Sequence, residues 1–191
     1  MPGLYEVVAE GHIFYVDEKV NVVIRGTLFD ARTPAMRNVT QARTAEMAAQ
    51  LLVKSTDNAI KRVRGNGRRV LYTFEDPNCG YCKKQQQEFT KLNDVTIYTF
   101  LWPILSLDSQ EKSRSIWCAK DRARAWDDLM LRGVAPQNDG KCDTPLEKNM
   151  ALARRFGAQG TPAVFLADGR MLGGYVPADK IEEAFRSPAS R

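Results

Sequence analysis

Cys79 and Cys82 stand two residues apart where an apolar run, Val70-Leu-Tyr-Thr-Phe74, gives way to a polar segment with helical character. A Cys-x-x-Cys pair at such a junction has three physical uses: a metal clip, a structural staple, or a redox tool. Each use requires different residues elsewhere, so this stretch constrains the whole chain.

The chain has four cysteines, Cys79, Cys82, Cys118 and Cys142, and one histidine, His12. A four-thiolate zinc site is usually built from two close pairs, and only one pair here is close. His12 lies far away in an alternating strand pattern and reads as a strand-face residue. No metal, no Cys–His dyad and no cofactor is therefore expected. The 191 residues suffice for one core plus a small appendage. Much of the net charge of +5 sits in Lys61, Arg62, Arg64, Arg68 and Arg69 around Gly65-Asn66-Gly67. With no aromatic platform or recognition motif nearby, this run reads as a solvated turn, and nucleic acid is not an expected partner. Glu75 and Asp76 are expected to face water in the loop with Pro77. No apolar stretch is long enough to span a bilayer. The start, Met1 to Gly11, has neither a basic segment nor a long apolar one, so it does not read as a signal peptide.

Residues 4–29 alternate and are rich in β-branched and aromatic residues, broken near Gly11 and at Asp17-Glu-Lys19. They read as a three-stranded antiparallel meander, ended by Asp30-Ala-Arg-Thr-Pro34. It has too few residues to bury its apolar faces within one chain. Asn38 and Gln41 form a capping signature before a helix over 42–54. That helix carries only a narrow stripe (Ala45, Ala48, Ala49, Leu52, Val53) and reads as a linker rather than a core helix. A strand over 70–74, a helix from about 80 to 92 and a strand over 95–101 follow. One amphipathic helix is expected over 109–131, with Trp126 on its apolar face, and another from Thr144, with Pro145 at its first position, to Gly157. Strands over 163–167 and 171–175 flank an Asp168-Gly169 turn, and a helix over 178–185 closes the chain. Trp102 and Trp126 read as core aromatics.

The order β-α-β, helical block, β-β-α, with Cys-x-x-Cys at the first strand-to-helix junction and Gly160-Thr-Pro162 before a later strand, resembles the thioredoxin pattern. The segments CGYC, IWCAKDRARAWDDLM, GTPAVFLADG and GGYVP resemble the DsbC/DsbG family of bacterial periplasmic disulfide isomerases, over about residues 68–187. The resemblance implies an α/β thioredoxin fold with a helical insertion, preceded by a small antiparallel β dimerisation module and a linker helix. The corresponding divisions are 1–37 for the module, 38–66 for the linker helix and basic turn, and 67–191 for the catalytic domain, with its insertion at about 106–157. The family usually has further residues before those strands.

The resemblance also implies a cis proline at Pro162 facing the cysteine pair and a second cysteine pair, Cys118 with Cys142. A Cys118–Cys142 link suits an oxidising compartment, so a periplasmic protein whose leader is absent from this sequence is expected. It further implies a membrane thiol reductase as electron donor.

The thiol chemistry follows from position. At a helix start, Cys79 faces unpaired N–H groups and the positive end of the dipole, which favours thiolate. Cys82, one turn inward, is better buried and keeps its proton. Cys79 is thus the attacking thiol and Cys82 the resolving one. The backbone of Thr161, beside Pro162, can pair with an extended substrate segment. Tyr81 joins these as a substrate contact and bears on redox poise. Lys83 and Lys84 read as solvated. Three activities remain open. One is a homodimeric isomerase acting on misfolded disulfide-containing proteins, favoured by the N-terminal strands and linker helix. The alternatives are a monomeric thiol oxidase or reductase, and a chaperone using the apolar surface of residues 4–29.

Overall fold

A computed structural model describes residues 3–187, with 10, 33 and 35 excepted. The outer ends of the expected first and last domains, and Thr33 in the turn expected to end the meander, lie outside the described residues.

The chain opens with a meander of β1 (Tyr5–Ala9), β2 (His12–Val16) and β3 (Val23–Ile24), paired antiparallel in that order. A short ribbon follows, β4 (Phe29–Asp30) against β5 (Arg37–Asn38). The meander is better covered within one chain than its length suggests, because Ile13, Tyr15 and Val16 of β2 are buried. The Tyr15 and Thr40 hydroxyls share a 2.5 Å hydrogen bond, and Arg43 pairs with Glu6 at 2.9 Å. Tyr5, Val7 and Val8 of β1 and both residues of β3 remain exposed.

Asn38 caps helix α1 (Val39–Lys54) by accepting the Gln41 N–H at 2.8 Å. The expectation of a mere linker is corrected here. Leu52 is fully buried and packs in one cluster with Tyr72, Phe74, Phe100 and Phe165. Further along α1, the turn at Gly169 (φ +80°) lies so close that a Cβ there would overlap the Ala45 carbonyl oxygen. A narrow stripe suffices when the opposing surface is backbone with no side chain.

The basic segment is corrected too. Residues expected as a solvated turn begin with a strand, β6 (Ile60–Arg64), which forms one edge of the main sheet. Only Arg64 to Arg68 make the turn, where Gly65 and Gly67 have positive φ. β7 (Arg69–Glu75) and β8 (Val95–Leu101) run parallel, joined by helix α2 (Gly80–Thr90). β9 (Ala163–Leu166) pairs antiparallel with β7, and β10 (Met171–Gly173) antiparallel with β9. The sheet order is β10-β9-β7-β8-β6.

Strand alternation assigns the two faces. Tyr72, Phe74, Phe100 and Phe165 join Leu52 and Ala153 on one face. Leu71, Val95, Ile97 and Val164 pack with Phe89 and Ile181 on the other, beneath α2 and the last helix, α6 (Ala178–Arg186).

The helical block holds α3 (Leu107–Trp117), α4 (Arg122–Arg132) and α5 (Leu146–Arg155). The single helix expected over 109–131 is therefore two. Asp121 restarts the chain by capping Arg124 N–H at 3.0 Å, and Arg122 Nε donates to the Trp117 carbonyl at 2.6 Å. Apolar spacing runs through such a break, whereas the cap marks it. Helix α5 starts at Leu146, so Pro145 is its N-cap rather than its first helical position, and no side-chain capping bond is made there. Cys118, the C-cap of α3, is disulfide-bonded to Cys142, with the Cα atoms 5.7 Å apart. Among the described residues no helix is long and apolar enough to cross a membrane.

Leu52→Ala tests whether α1 belongs to the core. A fully buried leucine truncated to alanine costs about 2–5 kcal/mol, whereas an exposed linker position costs within roughly 0.5 kcal/mol. Urea unfolding should show the larger loss.

Candidate active site at the start of helix α2

β7, the central strand, delivers the chain to one end of the sheet, and Asp76-Pro77-Asn78 turns it into α2. Asp76 is fully buried, against the expectation of a water-facing loop. Its carboxylate accepts the backbone N–H groups of Asn78, Ile104 and Leu105 and the Ser109 hydroxyl, at 2.8–2.9 Å. Four donors on one carboxylate satisfy its lone pairs and bind the turn before the cysteines to the loop leading into α3. Lys112 Nζ bonds Asn78 Oδ1 at 2.8 Å and tightens the same junction.

Cys79 is the N-cap of α2. Its backbone is extended (φ −73°, ψ 118°), and its sulfur accepts the Cys82 N–H at 3.2 Å. Sulfur here takes the place that a Ser or Asp oxygen usually fills at a helix start. Cys82, three residues on, is fully buried, while Cys79 keeps 7% of its surface open. The Thr161–Pro162 peptide is cis, and the Cys79 sulfur lies 3.3 Å from the Thr161 carbonyl oxygen, to which it donates in its thiol form. Of the residues singled out by sequence, Cys79, Cys82, Thr161 and Pro162 therefore converge. Tyr81 turns outward at 61% exposure, with its ring 6.3 Å from that of Tyr175 and Lys84 Nζ 5.2 Å above it. Lys83 and Lys84 are exposed. Trp126 is fully buried in the cluster that contains both cysteines, and Trp102 lies in the core on the other sheet face. His12 is exposed on β2. Among the described residues no group of three or more His, Cys, Asp or Glu side chains is placed to hold a metal ion.

The two thiols are driven apart in acidity. The Cys82 thiol, hydrogen-bonding to Cys79, is the main influence holding Cys79 down at about 6. The Thr161 side chain and the Cys82 and Tyr81 backbone groups assist, against the cost of partial burial. This shift favours the thiolate at neutral pH. Burial pushes Cys82 far up, and its bond to Cys79 and the charge of Glu75 add to the effect. The arrangement favours charge on one sulfur and a proton on the other.

Glu75, like Asp76, is a site residue that sequence reading misplaced. It is fully buried at the end of β7, and both its oxygens accept from Gln86 Nε2 at 2.7 Å. Burial pushes its carboxyl up to about 7. The signal lay in parity: Leu71, Thr73 and Glu75 alternate onto one strand face, and Leu71 is plainly core.

Iodoacetamide labelling of the reduced protein against pH should show Cys79 reacting with a midpoint near 6. Cys82 should label only once the chain is unfolded. A midpoint at the ordinary thiol value of about 8.5 would remove the assignment.

Residues 56–187 match the thioredoxin-like domain family, and residues 1–41 match the disulfide bond isomerase N-terminal domain. The probable thiol:disulfide interchange protein DsbC of Bordetella parapertussis is 44% identical over 181 residues, covering 94% of this chain and 64% of that protein. The thiol:disulfide interchange protein DsbC of Escherichia coli K12 is 30% identical over 186 residues, covering 95% of this chain and 76% of that protein. A crystal structure of a disulfide interchange protein from Neisseria gonorrhoeae superposes with a TM-score of 0.66 at 42% identity, over 69% of this chain and 96% of that one. The chain thus spans a little under two thirds of the length of the Bordetella relative. On the matched domain and these identities, the chain belongs to the DsbC family of thioredoxin-like thiol:disulfide interchange proteins.

Proposed function

We propose that the chain catalyses thiol–disulfide exchange on misfolded disulfide-containing proteins, with Cys79 as nucleophile and Cys82 as resolving thiol. One observation carries this reading: a thiolate-favouring sulfur at a helix start hydrogen-bonded to a buried, protonated one. The Cys79 thiolate attacks a client disulfide and forms a mixed disulfide, expelling one client sulfur as thiolate. Either another client thiolate then displaces Cys79, leaving a rearranged client, or Cys82 does so and the client leaves reduced. Thr161, beside the nucleophile, and Tyr81, on the open surface, are the groups that meet the client.

Assembly belongs to the same proposal. The exposed apolar residues of β1 and β3 and the unpaired edge of β1 favour pairing with a second copy, and the match of residues 1–41 supports that role. Residues 1–37 would form the dimerisation module. The catalytic unit would start near residue 56, earlier than the boundary at 67, because β6 lies in its sheet. The Cys118–Cys142 bond suits an oxidising compartment such as the periplasm. Keeping Cys79 reduced there calls for an outside donor, in this family a membrane thiol reductase. A second reading, a monomeric oxidoreductase, draws on the burial of Ile13, Tyr15 and Val16 within one chain.

Cys82→Ala should accumulate mixed disulfides through Cys79 when mixed with a scrambled multi-disulfide protein, and Cys79→Ala should accumulate none. Failure of Cys82→Ala to trap anything would overturn the exchange scheme. Cys118→Ala should instead lower stability by about 3 kcal/mol, the chain-entropy value for a loop of this size, and leave trapping intact.

Sedimentation should give a dimer for the full chain at tens of micromolar. Deleting residues 1–36 should give a monomer that still exchanges disulfides but reshuffles a scrambled protein poorly. A monomeric full chain, or full isomerase rate after deletion, would favour the second reading.

A further inference from the structure

On the sheet face that carries α1 and α5, a groove opens beside Pro162. It is lined by Pro162 and Ala163, by residues 157–160 leading from α5 into the cis peptide, and by Met171 and Gly173 of β10. It holds about 310 Å³, the low end of the range for ligand pockets, which is room for one large side chain and the main chain that bears it. Register assigns the face. Met171 pairs with Phe165, and Phe165 and Ala163 belong to the aromatic cluster with Leu52 of α1 and Ala153 of α5. Helix α2, with Tyr81, covers the opposite face.

The groove is bare for reasons of backbone. Gly157 (φ +67°) follows the C-cap of α5, and Gly173 (φ +117°) stands where the β10 register shifts, so neither position suits a side chain. At Gly160 a Cβ would meet nothing within 4 Å. Gln159 is the one lining residue with a polar side chain, and none is charged. Met171 supplies the one long apolar side chain and is 50% exposed.

This recess adjoins the exchange site. Pro162 follows Thr161, whose carbonyl oxygen lies 3.3 Å from the Cys79 sulfur. A client segment with its cysteine at Cys79 therefore passes the groove within about two residues, each extended residue spanning about 3.3 Å. Among the described residues, nothing pairs with the main-chain N–H and C=O groups of Gln159 and Gly160 or with the Thr161 N–H. Open main-chain groups beside a side-chain recess are how extended peptides are held, the first for affinity and the second for selection.

We propose that this groove is a client subsite for one bulky apolar side chain close to the client cysteine, with Met171 as its specificity-determining wall. The inference rests on the thiol-exchange reading above and deepens it by naming what the client must carry. A charged side chain in the recess would lose water and gain no partner, whereas an apolar one leaves water against Pro162, Ala163 and Met171. Methionine is unbranched and polarisable, so one wall conforms to aliphatic chains and to rings. Large apolar residues are mostly buried in finished proteins. A subsite of this kind therefore selects cysteines from cores that have not closed.

The test uses the full chain carrying Cys82→Ala, which holds the adduct. The probes are symmetric disulfides of short, otherwise uncharged peptides with Phe, Leu, Lys or Gly at one position within two residues of the cysteine. Cys79 sulfur bonds one peptide sulfur, the peptide disulfide breaks, and the second peptide leaves as a thiolate. Acid quenching and intact-mass analysis give the rate constant, divided in each case by that with glutathione thiolate to remove differences between the disulfides themselves. At one of the positions Phe and Leu should react at least about 10-fold faster than Gly, the lower end of what an apolar pocket discriminates, and Lys no faster than Gly. Met171→Glu should bring the Phe-to-Gly ratio near unity and raise Lys above Gly, while Met171→Leu should keep the preference. Damage to the site as a whole slows all peptides alike and leaves the ratio unchanged. Equal rates for all peptides, the result expected if a second copy or the chain's own end fills the groove, overturn the inference. So does a Phe preference that survives Met171→Glu; should that variant not fold, an undiminished preference in Met171→Ala does the same. If none of the peptides forms an adduct, the exchange reading itself has failed.

Discussion

The start of helix α2 is organised by one hydrogen bond, from the Cys82 N–H to the Cys79 sulfur. It makes a thiol do the work of a helix cap. A capping atom must accept hydrogen bonds from unsatisfied N–H groups, and sulfur accepts them far better as thiolate than as thiol. Helix geometry thus selects the charged form. The cap also sets the two sulfurs apart, because the residue three positions on must lie inside the first turn, where burial keeps its proton in place.

The surroundings serve to hold that cap still. Asp76 gathers four donors from the Cys loop and the 104–109 segment, and Asn78 is tied to Lys112 on α3. Gln85, also on α2, exchanges two hydrogen bonds with the Val176 backbone, at 3.0 and 2.7 Å. Helix α2 is therefore pinned on several sides by polar contacts inside the protein, which resist sliding better than apolar packing because each has a defined direction.

The fold was legible where periodicity speaks. The alternation of β1 and β2, the apolar run of β7 and the Pro162-led strand β9 all read directly from residue order. The cysteine pair did too, since sequence spacing alone puts it at a helix start. What escaped was information carried by partners distant in sequence. Arg62 looks like surface charge until Thr99 and Asp127 are seen beside it. Glu75 looks like a loop acid until Gln86 is placed over it. The break between α3 and α4 depends on a single cap at Asp121 that the apolar stripe does not register. Leu52 looked like part of a thin stripe because one leucine weighs little in a periodic pattern, although it meets an entire aromatic cluster.

The close seat of Gly169 against Ala45 has a mechanical meaning. Gly169 closes the hairpin whose first strand, β9, begins just after Pro162, and the helix backbone it touches is the one that follows the N-terminal strands. Contact between bare backbones leaves no side chain to act as a compliant spacer. The spacing of α1 from the β9–β10 hairpin is therefore set by main-chain atoms, as by a joint with no gasket. A larger residue at 169 would displace α1 and the β9–β10 hairpin from one another, with no side chain between them able to give way.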